Sequence, residues 1–150
     1  MRLVVQRVSR AAVRVDEETV GAISPGAVVL VGIGVADSQE IVDRMADKLL
    51  GLRYFEDDAG RTNRSIAEAG GAFLVISQFT LYADLRRGRR PGFTDAAPPE
   101  VAAPLVERFV ERLGEGGVEV ASGRFGASMA VELVNEGPFT LVLDSDRDLA

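Results

Sequence analysis

Cysteine and histidine are both missing from this sequence of 150 residues. Without cysteine there is no disulfide scaffold, no thiol nucleophile and no thiolate metal site. Without histidine the Ser-His and Cys-His nucleophile pairs are excluded, and so are most zinc sites, which depend on those two residues. Catalysis by this chain must use carboxylates, hydroxyls, backbone groups or the substrate itself, and neither a metal nor a cofactor is expected. Long apolar runs are also missing. No stretch approaches the roughly 18 to 20 apolar residues of a membrane span, and Arg7 and Arg10 interrupt the apolar start. No signal peptide and no membrane partner are therefore expected, and the expected location is cytoplasmic. Positive charge is scarce: 17 Lys and Arg face 23 Asp and Glu, a net charge of -6. Such a field repels nucleic acid, so an RNA partner must be met by a local basic patch.

The length is that of one ordinary domain, and 47% of the residues are apolar. A domain of this size buries roughly 68–70% of its unfolded surface and needs no staple. Leu3 to Val8 and Ala11 to Val15 are rich in β-branched residues, and Val20 to Ile23 reads as the returning arm of a hairpin. Ala27 to Val35 is almost wholly apolar, as in a strand buried on both faces. Asp37-Ser38 gives a helix start, and Ile41, Val42, Met45, Ala46, Leu49 and Leu50 recur at helical spacing. Arg61 to Gly71 is polar and reads as irregular. Ala72 to Ile76 is a short apolar strand. Asp84 to Ala97 is a long loop of the kind that is functional or disordered. Pro98-Pro99 opens a second helix, which Gly114 to Gly117 ends. Strands are expected at Val118 to Ala121, Ala127 to Val134 and Phe139 to Leu143. Two main helices and six or seven strands, mostly in hairpin order, read as an α+β fold rather than βαβ winding. The expectation is a single domain over residues 1–150, with a mostly antiparallel, barrel-like sheet.

Five features bear on chemistry. Ser77-Gln78-Phe79-Thr80-Leu81 puts three polar side chains at the mouth of a buried strand, where a rigid scaffold can aim catalytic groups; the residues fit a plain strand end as well. Gly137-Pro138, between two strands, reads as a tight turn, and since only about 5–6% of X–Pro bonds in folded proteins are cis, the dipeptide implies no isomer. Arg86, Arg87, Arg89 and Arg90 crowd one loop of an acidic chain, either as a phosphate-binding patch or as a solvated loop. Gly32-Ile33-Gly34 lacks the third glycine of a dinucleotide fingerprint and reads as a strand end. Asp37, Asp57 and Asp58 fit turns rather than a cation loop.

Together these pieces resemble the D-aminoacyl-tRNA deacylase family over essentially the whole chain. Val5-Gln6-Arg7-Val8, Val29-Leu30-Val31-Gly32, Ser77 to Leu81, Arg90-Pro91, Phe125-Gly126-Ala127 with Met129, and Asn135 to Thr140 fall in the family's order. Glu136 stands where Asp is expected, Phe139 where Val is, and Arg87 where Lys is common. The resemblance implies hydrolysis of the ester in D-aminoacyl-tRNA by a homodimer whose active sites lie at the subunit interface. It implies a cis Gly137-Pro138 bond that projects into the partner's pocket and is held in place by Arg7. Ser77, Gln78, Phe79 and Thr80 are the implied catalytic residues. Gly137, Pro138, Arg7 and Met129 are the expected substrate-binding and L-rejecting set. The N–H groups around Phe79 and Thr80 are the expected oxyanion donors; Thr80 Oγ as a nucleophile is the rival, without an evident base. A wall that rejects L side chains should also admit glycyl-tRNA, as when glycine is mischarged on tRNA(Ala). A non-catalytic nucleic-acid-binding factor is the alternative from another class, and the chain's acidity argues against it.

Overall fold

The computed structural model describes residues 1–150. In chain order the elements are β1 (Arg2–Val15), β2 (Glu18–Ile23), β3 (Gly26–Gly32), α1 (Gln39–Gly51), β4 (Phe55–Glu56), β5 (Thr62–Arg64), α2 (Ile66–Ala69), β6 (Ala72–Ser77), a 3-10 turn (Phe79–Tyr82), α3 (Pro99–Glu115), β7 (Glu119–Ser122), β8 (Met129–Asp144) and α4 (Ser145–Asp148). The α+β, barrel-like expectation holds, with two main helices and two short ones.

β1 is the strand around which the sheet is organised. Its first half pairs antiparallel with β3 and its second half with β2, while β8 runs antiparallel along it from Arg2 to Val15. The two segments expected on either side of Ser9 are therefore one strand, with a register shift between Val8 and Arg10. The far half of the sheet departs from hairpin order. β3 pairs parallel with β6, and β6 parallel with β7. α1 lies in the connection from β3 to β6, and α3 in that from β6 to β7. Parallel neighbours need such long crossovers, so the helices and the parallel pairs go together. β7 then approaches β2 without a ladder: a Cβ on Gly21 would lie 2.8 Å from the Ser122 carbonyl oxygen. The missing side chain lets the sheet curl almost shut.

Strand alternation divides the apolar residues between two clusters. Leu3, Val5, Ala27, Val29, Val31, Phe73 and Val75 face Val42, Met45, Leu49, Phe109 and Leu113 of the helices. Val8, Ala11, Val13, Ile23, Val28, Leu74 and Ile76 fill the inside of the curled sheet. Arg108 and Arg112 of α3 pair with Asp43 and Asp47 of α1, at 2.7 and 2.9 Å. These partly exposed pairs fix the helices' alignment more than they add stability.

Arg61 to Gly71 is more ordered than its composition suggests. Ser65 Oγ accepts from the Glu68 N–H, and Glu68 accepts in turn from the Ser65 N–H at 2.9 Å. This capping box organises the single turn of α2.

The tightest close approach is at the start of β3. A Cβ on Gly26 would sit 1.8 Å from the carbonyl oxygen of Ala72, its β6 partner. Gly26→Ala must push two core strands apart, and a loss of about 3 kcal/mol is expected. Urea unfolding followed by circular dichroism checks it; an unchanged midpoint would show that the strands separate at little cost.

Candidate functional site

β3 and β6 run parallel and end on the same side, and the 3-10 turn folds across the end of β3. Two glycines make room for it: a Cβ on Gly32 would lie 2.9 Å from Leu81 Cβ, and one on Gly34 would lie 2.7 Å from the Tyr82 ring. The Gln78 N–H donates to Val31 O at 2.7 Å. Arg2 completes the fastening. It donates to Leu81 O at 3.0 Å, lies 4.5 Å over the Tyr82 ring and pairs with Asp144 at 3.0 Å. The Gly32-Ile33-Gly34 strand end thus positions the Ser77 to Leu81 segment.

Beside this turn lies a cavity of about 610 Å³. Ser77, Gln78 and Phe79 line it, with Phe93 and Ala96 to Pro99 from the long loop, Ala102 and Val106 of α3, and Phe125 to Met129. Its only polar side chains are Ser77, Gln78 and Ser128, and it contains no ionisable group. Sequence reasoning found Ser77, Gln78, Phe79 and Met129. It left out Phe93 and the Pro98-Pro99 helix start, which had been read only as loop and cap.

The N–H groups of Phe79 and Thr80 open the 3-10 turn, where no acceptor exists within the helix; the following N–H, that of Leu81, bonds to Gln78 O at 3.2 Å. Phe79 turns its ring outward, edge-on to Phe93 at 5.0 Å. Thr80 is exposed and does not line the cavity, and its hydroxyl oxygen accepts from the Gln78 side-chain amide.

Arg7, Gly137 and Pro138 gather elsewhere. The segment expected to be a turn between two strands is a bulge within β8. Gln6 pairs with Thr140 and Val8 with Asn135, so Glu136 to Phe139 all stand opposite Arg7. Asn135 closes the base of the bulge, its amide donating to Arg7 O at 2.9 Å and Phe139 O at 3.1 Å. The buried Arg7 guanidinium donates to Glu136 O at 3.1 Å and Tyr54 O at 2.7 Å, and makes no ion pair. A Cβ on Gly137 would collide with Arg7 Nη2 at 2.2 Å. The chain has no cis peptide bond, so the cis Gly137-Pro138 bond implied by the resemblance is absent; the backbone turns instead at Gly137, whose φ of 121° suits glycine. Gly137 and Pro138 are exposed and lie outside this chain's cavity.

The arginine loop is closed at its base by paired backbone bonds between Asp84 and Gly92, at 2.7 and 3.0 Å. Arg86 is engaged inside it, with two bonds of 2.8 Å to the Asp84 carboxylate. That contact holds the Asp84 carboxyl well below the usual carboxylate range. Arg87, Arg89 and Arg90 are exposed and form no ion pair.

The fold and the site together define a class: a small barrel-like α+β protein with an apolar cavity at the carboxyl ends of parallel strands, and an exposed Gly-Pro bulge outside that cavity. The family model described as D-Tyr-tRNA(Tyr) deacylase matches residues 4–144. The D-aminoacyl-tRNA deacylase of Symbiobacterium thermophilum is 58% identical over 147 residues, covering 98% of this chain and 97% of that protein. The one from a Roseiflexus species is 59% identical over 145 residues, covering 97% and 94%. Among solved structures, the c-Myc DNA Unwinding Element Binding Protein superimposes with a TM-score of 0.89 at 38% identity, covering 96% of this chain and 98% of that one. A probable eukaryotic D-amino acid tRNA deacylase, at TM-score 0.81 and 21% identity, covers 95% and 97% and shares the fold. The chain belongs to the D-Tyr-tRNA(Tyr) deacylase family.

Proposed function

We propose that this protein is a carboxylic ester hydrolase that cleaves the bond between a D-amino acid and the terminal ribose of tRNA, releasing both. Beyond the family, the observation that carries the mechanism is a cavity with no ionisable side chain beside a turn whose first N–H groups lack helical acceptors. An aminoacyl ester is already activated by its protonated amine and the neighbouring ribose hydroxyl. Such a substrate needs a positioned water and oxyanion donors, and the Phe79 and Thr80 N–H groups fill the second role. Thr80 as nucleophile is disfavoured, because its hydroxyl accepts from an amide, which is no base.

Gly137 and Pro138 act in trans. β8 is an edge strand of 16 residues with Val131, Val134 and Val142 exposed. An edge that long and apolar calls for a covering partner. In the proposed homodimer, the bulge of one copy enters the cavity of the other and forms a main-chain wall where an L side chain would point. Arg87, Arg89 and Arg90 contact tRNA phosphates, without reading sequence. No helix is long and apolar enough to cross a membrane; a substrate of charged tRNA supports the reading of a cytoplasmic location. The likeness to the c-Myc DNA Unwinding Element Binding Protein favours a second reading, non-catalytic nucleic-acid binding; the net charge of -6 opposes tight duplex binding.

Single-turnover assays on matched D-tyrosyl-, L-tyrosyl- and glycyl-tRNA(Ala) test the activity. D and glycyl esters should be hydrolysed and the L ester spared, and Thr80→Ala should retain D activity to within about tenfold, since loss of an essential proton-transfer group costs about 10² or more. No hydrolysis at all would leave only the binding reading. Glycyl-tRNA as resistant as the L ester would mean that the site grips the D side chain. For the loop, replacing Arg87, Arg89 and Arg90 by Ala should lower the slope of log K against log salt by roughly two to three, while Arg86→Ala changes it little. An unchanged slope in the triple variant would make the loop a solvated one. Sedimentation velocity should give the mass of two chains, and a monomer would rule out a site completed in trans.

A further inference from the structure

Tyr54 lies in the connection from α1 to β4, and no part of the catalytic reading uses it. It is 2% exposed, and its ring stacks on Phe139 with centroids 6.0 Å apart and planes 27° apart. On Phe139 lies the Arg7 guanidinium, 4.9 Å from the ring centroid. Arg7 then returns to Tyr54, donating to its carbonyl oxygen at 2.7 Å. The three groups close a loop of contacts: ring on ring, guanidinium on ring, guanidinium to carbonyl. Both ends of the Gly137-Pro138 bulge are tied into it, Phe139 directly and Glu136 through Arg7 Nε. β8 is an edge strand, and at the bulge it has lost its ladder to β1. The Tyr54 contacts are thus the bulge's link to the helix-side core.

We propose that Tyr54 is a positioning residue for Gly137-Pro138: its ring and carbonyl, through Phe139 and Arg7, set the direction in which the bulge projects and so the rejection of L substrates. This rests on the reading of the bulge as a chiral wall. The ring, not the hydroxyl, has the role. The phenolic oxygen is buried with no hydrogen-bond partner, an unfavourable placement that a phenyl ring would avoid. A misplacement of about 1 Å at a reacting centre can change rates about 10²-fold, so a slackened bulge should register in selectivity before it registers in folding.

The readout is the ratio of kcat/KM for D- over L-tyrosyl-tRNA, with thermal unfolding as the control for folding. Tyr54→Phe should keep the ratio and unfold no earlier than the parent. Tyr54→Leu should lower the ratio by about ten- to a hundredfold, mainly by raising hydrolysis of the L ester. A folded Tyr54→Leu with the parent's ratio, or a Tyr54→Phe that loses it, overturns the proposal. If Tyr54→Leu does not fold, Phe139→Ala, at a half-buried position, takes its place: a fall in the ratio supports the stack and an unchanged ratio overturns it. Gly137→Ala tests the underlying wall separately, because its Cβ would meet Arg7 Nη2 and shift the main chain. A fall there beside an unchanged Tyr54→Leu sinks the Tyr54 role alone. An unchanged Gly137→Ala sinks the wall, and the Tyr54 role with it.

Discussion

Burying a guanidinium where no carboxylate meets it is costly, and Arg7 is held in that position at the one point where β8 leaves β1. Its compensation is all neutral: two carbonyl oxygens and the face of Phe139. A cation over a desolvated aromatic face contributes a modest attraction, and bonds from a charged donor to carbonyls are stronger than neutral ones. A carboxylate would have satisfied Arg7 by itself. Carbonyls satisfy it only if the backbone carrying them stays in place, so the charge acts as a clamp on Glu136 and on Tyr54. Glycine at position 137 follows from the same constraint, because a Cβ there would occupy the space of Arg7 Nη2.

The other half of the site depends on close backbone approach in the parallel part of the sheet. Gly26 lets β3 meet β6, Gly21 lets β2 meet β7, and Gly32 and Gly34 let the 3-10 turn lie across the end of β3. Each removes a side chain where two backbones or a backbone and a ring must touch. The result is a turn held by β3 at its start, through the Gln78 N–H, and by Arg2 through the Leu81 carbonyl, next to a cavity walled by the start of α3. Rigid elements set the position of the Phe79 and Thr80 N–H groups, as electrostatic preorganisation would require of the proposed donors.

Local features were legible in the sequence and long-range ones were not. The apolar stripes of α1 and α3, the doubly buried β3 and the Ser77 to Leu81 segment could all be read from periodicity or resemblance, because each depends on neighbours within a few residues. The Ser65 to Glu68 capping box was legible in the same way but was obscured by its polar surroundings. The parallel pairing of β3, β6 and β7 was not legible, since it depends on which sheet face the intervening helices cover. Nor was the continuity of β8. Gly-Pro between two apolar runs has the composition of a turn, and only the register against β1 shows that four residues bulge out opposite Arg7 while the strand resumes. The pairing of Arg86 with Asp84 also escaped, because composition counts charges without assigning partners.

A cavity with no ionisable side chain has a consequence for selectivity. Where a protein base must be aligned with the substrate, a mirror-image ester can be bound and still fail to react, because the base is misplaced. In the function proposed above, the ester carries its own activation, and the donors are backbone groups that would serve any carbonyl brought to them. Chemistry therefore offers little discrimination between D and L esters, and exclusion must come from shape, before the carbonyl reaches the donors. A side chain makes a poor barrier for that purpose, since it can change rotamer. Main chain has no such freedom once its neighbours hold it. A Gly-Pro segment supplies such a barrier, with proline fixing φ and glycine letting the clamp approach closely. On that proposal the unpaired charge of Arg7 and the chemically sparse cavity are two sides of one arrangement: the less the cavity does to select its substrate, the more firmly a segment that excludes the wrong one has to be held.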